Sequence, residues 1–364
     1  MTTYIIRRLI QGIAVLFLST FMIYTLLLVS PGGPRDIVND LKFQQSLGHP
    51  INPNLLHYYE KLFGLDVPYP IGYLNWLFNP RNTTKVTYDL QGNVYTASWG
   101  INIFGIKGSG VLTGDLGESV VLDQTRSVAD MLWERLGNTI LLIGSATLLA
   151  ILLAIPIGII AAVRQYSRLD YAVTTFSFIG LSMPTFWLGL MLIILFALLP
   201  KQLHDQGLAW VPYLPTGDTG RDNLPNILYH LALPVTVLAF VQIAGLSRYV
   251  RASMLEVLRQ DYVRTAWAKG LQQRVVILKH ALRNALIPVI TIIMLGLPGL
   301  FGGAIITETV FNYFGMGKLY YDAVVRFDIP LVMGFLLINV VLIVVANLLA
   351  DIMYAVADPR IRYS

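Results

Sequence analysis

The chain has 364 residues, 55% of them hydrophobic and only 13% charged, with a mean hydropathy of +0.62 and a formal net charge of +5. Soluble domains carry roughly 25% charged residues, so this composition excludes an ordinary water-facing globule and predicts a protein whose main solvent is lipid. Cysteine is absent and the five histidines are scattered, which excludes a disulfide framework or thiolate metal site and argues against structural zinc.

The positive balance does not point to nucleic acid, because no basic stretch is interleaved with exposed aromatics in a soluble segment. Basic loops held on one side of a membrane account for it. An apolar run of about 20 residues crosses the hydrocarbon layer when helical, and six runs qualify. The first, from about Leu9 to Val29, follows Arg7 and Arg8 and is stopped by Ser30-Pro31-Gly32-Gly33-Pro34, through which no helix continues. A cleavable signal peptide is the competing reading. The run is longer than the roughly 7 to 15 apolar residues of such a segment and lacks a small-x-small cleavage site.

From Pro31 to Asn138 the chain is polar to mixed, far longer than an ordinary connection, which predicts a small external domain. Thr84 to Thr96 alternates β-branched, aromatic and polar residues around Gln91-Gly92-Asn93 and reads as a β-hairpin. A disordered linker is the alternative, against which stand Trp76, Phe78, Tyr88, Tyr95, Trp99 and Phe104. The remaining spans run from about Thr139 to Val163, Val173 to Leu199, Ile227 to Leu246, Ala285 to Ile306 and Leu331 to Tyr354.

Orientation follows from the basic residues. With the N-terminus inside, the inner segments hold Arg7 and Arg8, Arg164 and Arg168, the dense run from Arg248 to Arg283, and Arg360 and Arg362. The two short outer loops hold only Lys201, Arg221, Lys318 and Arg326. The expected fold is therefore all-α integral membrane, with six transmembrane helices, both termini cytoplasmic, and a small external domain with a β-hairpin between helices 1 and 2. The domains are a first helix (1–30), the external domain (31–138), a membrane core (139–356) containing a cytoplasmic loop (248–284), and a tail (357–364).

That loop is amphipathic. Leu255, Leu258, Tyr262 and Ala266 fall at helical spacing, and beyond Gly270 so do Leu271, Val275, Leu278 and Leu282. Two helical stretches meeting at a glycine are expected, since Gly tolerates positive φ where a helix ends and turns. A helix lying outside the membrane must bury its apolar face in the headgroup layer or in a partner protein. Ala266 and Ala268 beside Gly270 favour a partner, because small residues permit close approach.

The string Thr-Ala-Trp-Ala-Lys-Gly-Leu at 265–271, followed by His-Ala-Leu-Arg-Asn-Ala-Leu-Ile-Pro at 280–288, resembles the coupling loop of permease subunits in binding-protein-dependent ABC importers, in the form seen in the dipeptide and oligopeptide permease family. Further stretches resemble the same family: Pro31–Pro34, Gly114–Ser119, Leu181–Leu190, His230–Pro234, Gly302–Phe311 and Asp351–Arg362. The resemblance runs in order along nearly the whole chain. Arg264 and Arg283 depart from the Glu and final Pro of the general importer pattern, although basic residues there are usual in the peptide branch. The outer segment is longer than in that branch, so about Tyr69 to Gly110 inherits no role.

The resemblance implies a permease subunit that pairs with a second homologous permease, two ATPase subunits and an external solute-binding protein, and that imports peptides. Tyr262 to Leu271 would be the coupling helix, with Ala266 and Gly270 packing closely, Arg264 and Lys269 as charged contacts, and Thr265 and Leu271 in the same element. No G-x-x-x-x-G-K-[ST] string occurs, so ATP and Mg are expected on the partner ATPases and no cofactor on this chain.

In the fifth span Gly299 and Gly303 stand in G-x-x-x-G register beside Gly302, with Pro298 expected to supply a kink. This face lines either the pathway at the interface with the second permease or a packing surface within the subunit. Gln242, Asn339 and Asn347 lie deep in the spans, as pathway groups or simple interhelical hydrogen-bonders. Glu308, near the outer end of the fifth span, either reaches the headgroups or lines an outer gate beside Phe311 to Met316. No ionisable group sits mid-span as an ion relay, which argues against a gradient-driven transporter. Nickel or an oligosaccharide remains open as solute. An intramembrane enzyme lacks a catalytic pair in any span, and a channel would not need the glycine-centred loop.

Overall fold

The computed structural model describes residues 2–48, 71–78, 85–88, 94–97, 116–119, 121–123, 126–207, 212–220 and 223–357, with positions 56, 60, 65, 68, 69, 111 and 114 besides. Among the described residues, 6 helical stretches are long and apolar enough to cross a membrane, and each overlaps one of the expected runs.

Helix α1 (Thr2–Val29) ends where the Pro-Gly-Gly-Pro sequence begins, and α2 (Pro34–Ser46) starts with Pro34 in its first turn. A proline is tolerated there because that amide has no intrahelical partner. After α3 (Ile71–Phe78), strands β1 (Lys85–Tyr88) and β2 (Val94–Ala97) pair antiparallel with Lys85 opposite Ala97 and Tyr88 opposite Val94. The expected turn at Gln91-Gly92-Asn93 lies outside the described residues.

Then follow α4 (Val128–Val163), α5 (Arg168–Ser182), α6 (Thr185–Asp205) with a π-helical turn over Ile194–Leu198, and α7 (Leu224–Leu258). The short α8 (Asp261–Ala268) precedes α9 (Leu282–Phe311), α10 (Met316–Val325) and α11 (Ile329–Ala357).

The expected continuous third span is corrected. It is two helices, α5 and α6, interrupted at Met183-Pro184, where Met183 is extended (φ −80, ψ 124). Pro184 has no amide to donate and its ring crowds the preceding turn, so the residue before it leaves the α region. By contrast Pro156, Pro234 and Pro298 lie inside helices that continue through them.

The chain divides into two compact units: one of Met1–Ile10, Arg135–Leu319 and Leu342–Ser364, the other of Gln11–Glu134 and Tyr320–Val341. In the first, α7 is the spine. Leu142, Ala146, Ala150 and Ala154 of α4 share a core with Val237, Leu238 and Ile243 of α7 and with Phe311 and Tyr313. Lipid tails are as apolar as leucine, so close contact rather than water exclusion holds such helices together. Gly158 illustrates the requirement: a Cβ there would lie 2.6 Å from Val250 Cβ and 2.7 Å from the Ser247 carbonyl oxygen.

In the second unit, Tyr24, Leu28, Tyr73, Leu77, Ile329 and Met333 form the core. Tyr73 bonds Thr20 Oγ1 at 2.8 Å and stands edge-on to Phe21. Asp328, fully buried, accepts from Ser119 Oγ at 2.5 Å and from the amides of Val121 (3.1 Å) and Leu122 (3.0 Å) through Oδ2. A carboxylate without water is tolerable only with such donors. It ties the end of the polar segment to the start of α11.

Gly158→Ala is expected to lower the thermal midpoint of the purified protein, at a cost of about 1–3 kcal/mol for overpacking. Gly144→Ala in the same helix, where an added Cβ meets nothing within 4 Å, is the matched control and should leave the midpoint unchanged or raise it.

Candidate functional site

Helix α7 does not stop at the end of its apolar stretch but runs on to Leu258, where Arg259 closes it and Gln260 opens α8. The stripe expected through Leu255, Leu258, Tyr262 and Ala266 is thus cut at Arg259-Gln260, and α8 ends at Ala268, short of Leu271. Its inward face is Val263 and Ala266, which pack on Val276, Val257 and Leu258. Ala266, expected to admit a partner, is instead buried against its own chain. The sequence pattern could not distinguish the two, since a small residue permits close approach from either side.

Gly270 has φ +73, and its amide bonds the Trp267 carbonyl at 2.9 Å. A Cβ added there would meet nothing within 4 Å, so its role is conformational: it turns the chain after α8 at a φ that costs other residues roughly 1–2 kcal/mol. Beyond it come one turn (Gln273–Val275), a π-helical stretch (Val276–Ala281) and α9. Asn284 Nδ2 donates to Tyr262 OH at 2.9 Å and Ser253 Oγ to the Ala285 carbonyl at 3.0 Å, fastening α8 and α7 to the start of α9.

The rest of the surface of α8 is open. Tyr262 is 43% exposed and Trp267 42%, with Leu271, Val275 and Leu278 also exposed. Thr265, Ala268, Lys269 and Arg264 share this exposure. The Arg264–Asp261 contact at 3.5 Å joins two solvated side chains and adds little. The short helix thus presents two exposed aromatic rings among cations, the kind of apolar surface that marks an interaction site.

A bidentate ion pair that the sequence did not suggest lies two turns before the end of α7. Arg251 Nη2 donates to Asp170 Oδ2 at 2.8 Å and Arg251 Nε donates to Oδ1. Asp170 Oδ2 also accepts the Tyr166 amide at 2.9 Å, and Ser167 Oγ caps α5. Asp170 and Arg251 are 81 residues apart, beyond the reach of any local pattern.

Glu308 takes neither expected role. It is fully buried; Oε1 accepts from Thr139 Oγ1 at 2.7 Å and Oε2 from the Lys318 amide at 3.0 Å. Thr139 Oγ1 in turn accepts the Met316 amide at 2.8 Å, and Asn138 Nδ2 donates to the Phe314 carbonyl at 2.6 Å. Glu308 therefore folds the Asn312–Met316 turn back onto α4, and Gly315 is required there because a Cβ would sit 2.2 Å from the Glu308 carboxyl carbon. Gly299, Gly302 and Gly303 lie in α9; the surroundings of their side-chain positions fall outside the described residues. Gln242 Nε2 is buried without a partner in α7, while Asn347 is exposed.

Residues 154–363 match the family described as "Binding-protein-dependent transport system inner membrane component". The chain belongs to this family. The permease is 38% identical over its full length to the oligopeptide transport system permease protein AppB of Bacillus subtilis, of which it covers 100%. It is 40% identical over 268 residues to the dipeptide transport system permease protein DppB of Escherichia coli K12, covering 70% of this chain and 78% of that one. Among solved structures, the inward-facing MetNI methionine ABC transporter shares the fold with a TM-score of 0.50 at 15% identity, over 63% of this chain and 96% of that one. The permease is thus a multi-pass inner-membrane transport component. The matched region contains α8, Glu308 and the Asp170–Arg251 pair, whereas the long segment before α4 lies outside it.

Glu308→Ala would leave the Thr139 hydroxyl and the Lys318 amide unpaired at about 1–3 kcal/mol each. A clear drop in thermal midpoint is expected, with Gly315→Ala producing a similar one. A side chain that merely reached the headgroups would give no change for Glu308→Ala.

Proposed function

We propose that this permease imports peptides as one of two membrane subunits of an ATP-driven transporter, with α8 as its coupling helix. The carrying observation is the geometry of α8: Val263 and Ala266 pack on the end of α7 and on Val276, Tyr262 is bonded to Asn284 of α9, and the Tyr262 and Trp267 rings stand exposed on either side of the buried face. In this reading both termini and α8 are cytoplasmic, in keeping with the basic residues around them. Trp267 and Tyr262 enter a groove of an ATPase subunit, and Arg264 and Lys269 make charged contacts at its rim.

The ATPase pair holds ATP and Mg; this chain contributes no group to phosphate chemistry. Closure of the ATPases displaces α8, and because α8 is fastened to both α7 and α9 the displacement enters two membrane helices together. A second homologous permease completes the pathway, its contact including the Gly299, Gly302 and Gly303 face of α9. An external solute-binding protein delivers the peptide, with the segment from residue 31 to 138 as its docking structure. Full-length relatives named for oligopeptide and dipeptide transport support peptides as the solute class.

With the ATPase partners co-expressed, Trp267→Ala is expected to weaken their association by about 2 kcal/mol or more, at least tenfold, as for a buried aromatic anchor. Gly270→Val should cut solute-stimulated ATP hydrolysis while leaving membrane insertion intact. Unchanged association and hydrolysis in both variants would refute the coupling role. Deleting Asn79 to Ile106 is expected to abolish capture of the solute-binding protein in a pull-down without affecting ATPase association.

A further inference from the structure

Helices α5 and α7 run antiparallel and are matched along their length. Asp170 meets Arg251 at one end; Ser177 Oγ lies 3.3 Å from Ser247 Oγ, and the Arg248 guanidinium stands 5.3 Å over the Phe178 ring. Further along, a Cβ on Gly180 would lie 2.6 Å from Ala244 Cβ, and Phe176 meets Phe240 edge-on at 4.9 Å. Beyond the Met183-Pro184 interruption α6 still packs on α7, through Leu188, Leu192 and Ile193, and adds a second neighbour. Gly189 of α6 faces Val310 and Phe311 at the far end of α9, where an added Cβ would meet them at 3.1 and 3.2 Å. The second half thus has a further attachment, to α9, that the first half lacks, and the interruption between the two halves has no helical hydrogen bond to resist bending.

The half of α7 that carries α5 also leads directly into α8: Val257 and Leu258 pack beneath Val263 and Ala266. Arg251 precedes Leu258 by two helical turns. Its pair with Asp170 is the strongest contact in the α5–α7 seam, since bidentate guanidinium–carboxylate bonds are directional and the carboxylate here is buried. The other seam contacts are weak hydroxyl and ring contacts or small-residue packing, which resist approach but allow sliding.

We propose that Asp170 and Arg251 are positioning residues for coupling: the pair locks α5 to the end of α7, so that displacement of α8 carries α5 with it and bends the third span at Met183-Pro184. This rests on the assignment of α8 as the coupling helix. A seam without the lock lets α7 move past α5, and the third span stays where it is.

The test uses the complete transporter, with its ATPase subunits and solute-binding protein, in proteoliposomes. Asp170→Asn, Arg251→Gln and the double variant are compared for peptide uptake, solute-stimulated and basal ATP hydrolysis, ATPase co-purification and thermal midpoint. The expected result is a fall of at least tenfold in uptake and in stimulated hydrolysis, with co-purification and basal hydrolysis within twofold of the parent. The double variant should be no worse than either single one, because both remove the same lock, and Arg251→Lys should recover part of the uptake by restoring charge and one hydrogen bond. The double variant buries no unpaired charge, so it keeps the question open to measurement if a single variant misfolds. Stimulated hydrolysis and uptake within twofold of the parent in the folded double variant would overturn the proposal, as would loss of the ATPase subunits. Trp267→Ala, measured alongside, isolates the docking assignment: if it too couples normally, that assignment fails, whatever the ion pair does.

Discussion

A carboxylate or backbone amide buried away from water must find its partners within the protein. The architecture follows from how this requirement is met. Glu308, Asp170 and Asp328 are all buried, and each accepts donors from another part of the chain: Thr139 and the Lys318 amide, Arg251 and the Tyr166 amide, and Ser119 with the Val121 and Leu122 amides. Each carboxylate thus ties a helix end to a distant segment, and leaving one unpaired costs far more than the bond itself contributes.

Apolar contact supplies the rest, through fit. Gly158 against Val250 and Ser247, and Gly180 against Ala244, let α4 and α5 approach α7 backbone to backbone. Because lipid offers a leucine the same environment as a protein interior, small residues that permit many close dispersion contacts do what large ones do in a soluble core. The consequence is a spine, α7, that is held from several sides along its apolar length and then projects to Leu258.

That projection links fold and proposed function. An interfacial helix that only floated in the headgroups would need no more than an amphipathic stripe. Helix α8 instead spends its apolar inner face on the end of α7 and on Val276 before α9, and keeps its two aromatic rings exposed. A displacement applied to those rings is delivered to two long helices rather than absorbed by a loop. The interruption at Met183-Pro184 supplies a place within the third span where such a displacement can be accommodated.

Much was legible in the order of residues. The spans follow from run length, the end of α1 from Pro31 to Pro34, the turn after α8 from Gly270, and the pairing of Lys85–Tyr88 with Val94–Ala97 from alternation, because these depend on local sterics and hydropathy. The family resemblance was likewise carried by short strings. Which face of α8 is spent inward, why Gly315 must be glycine, that Glu308 is a clamp, and that Asp170 meets Arg251 were decided only when segments far apart in sequence came into contact. Small residues and charges carry no directional signal of their own: an alanine admits either neighbour, and a carboxylate's role is set by the donors that tertiary structure brings to it. Local pattern determined where the helices run, and long-range packing determined what each buried group holds.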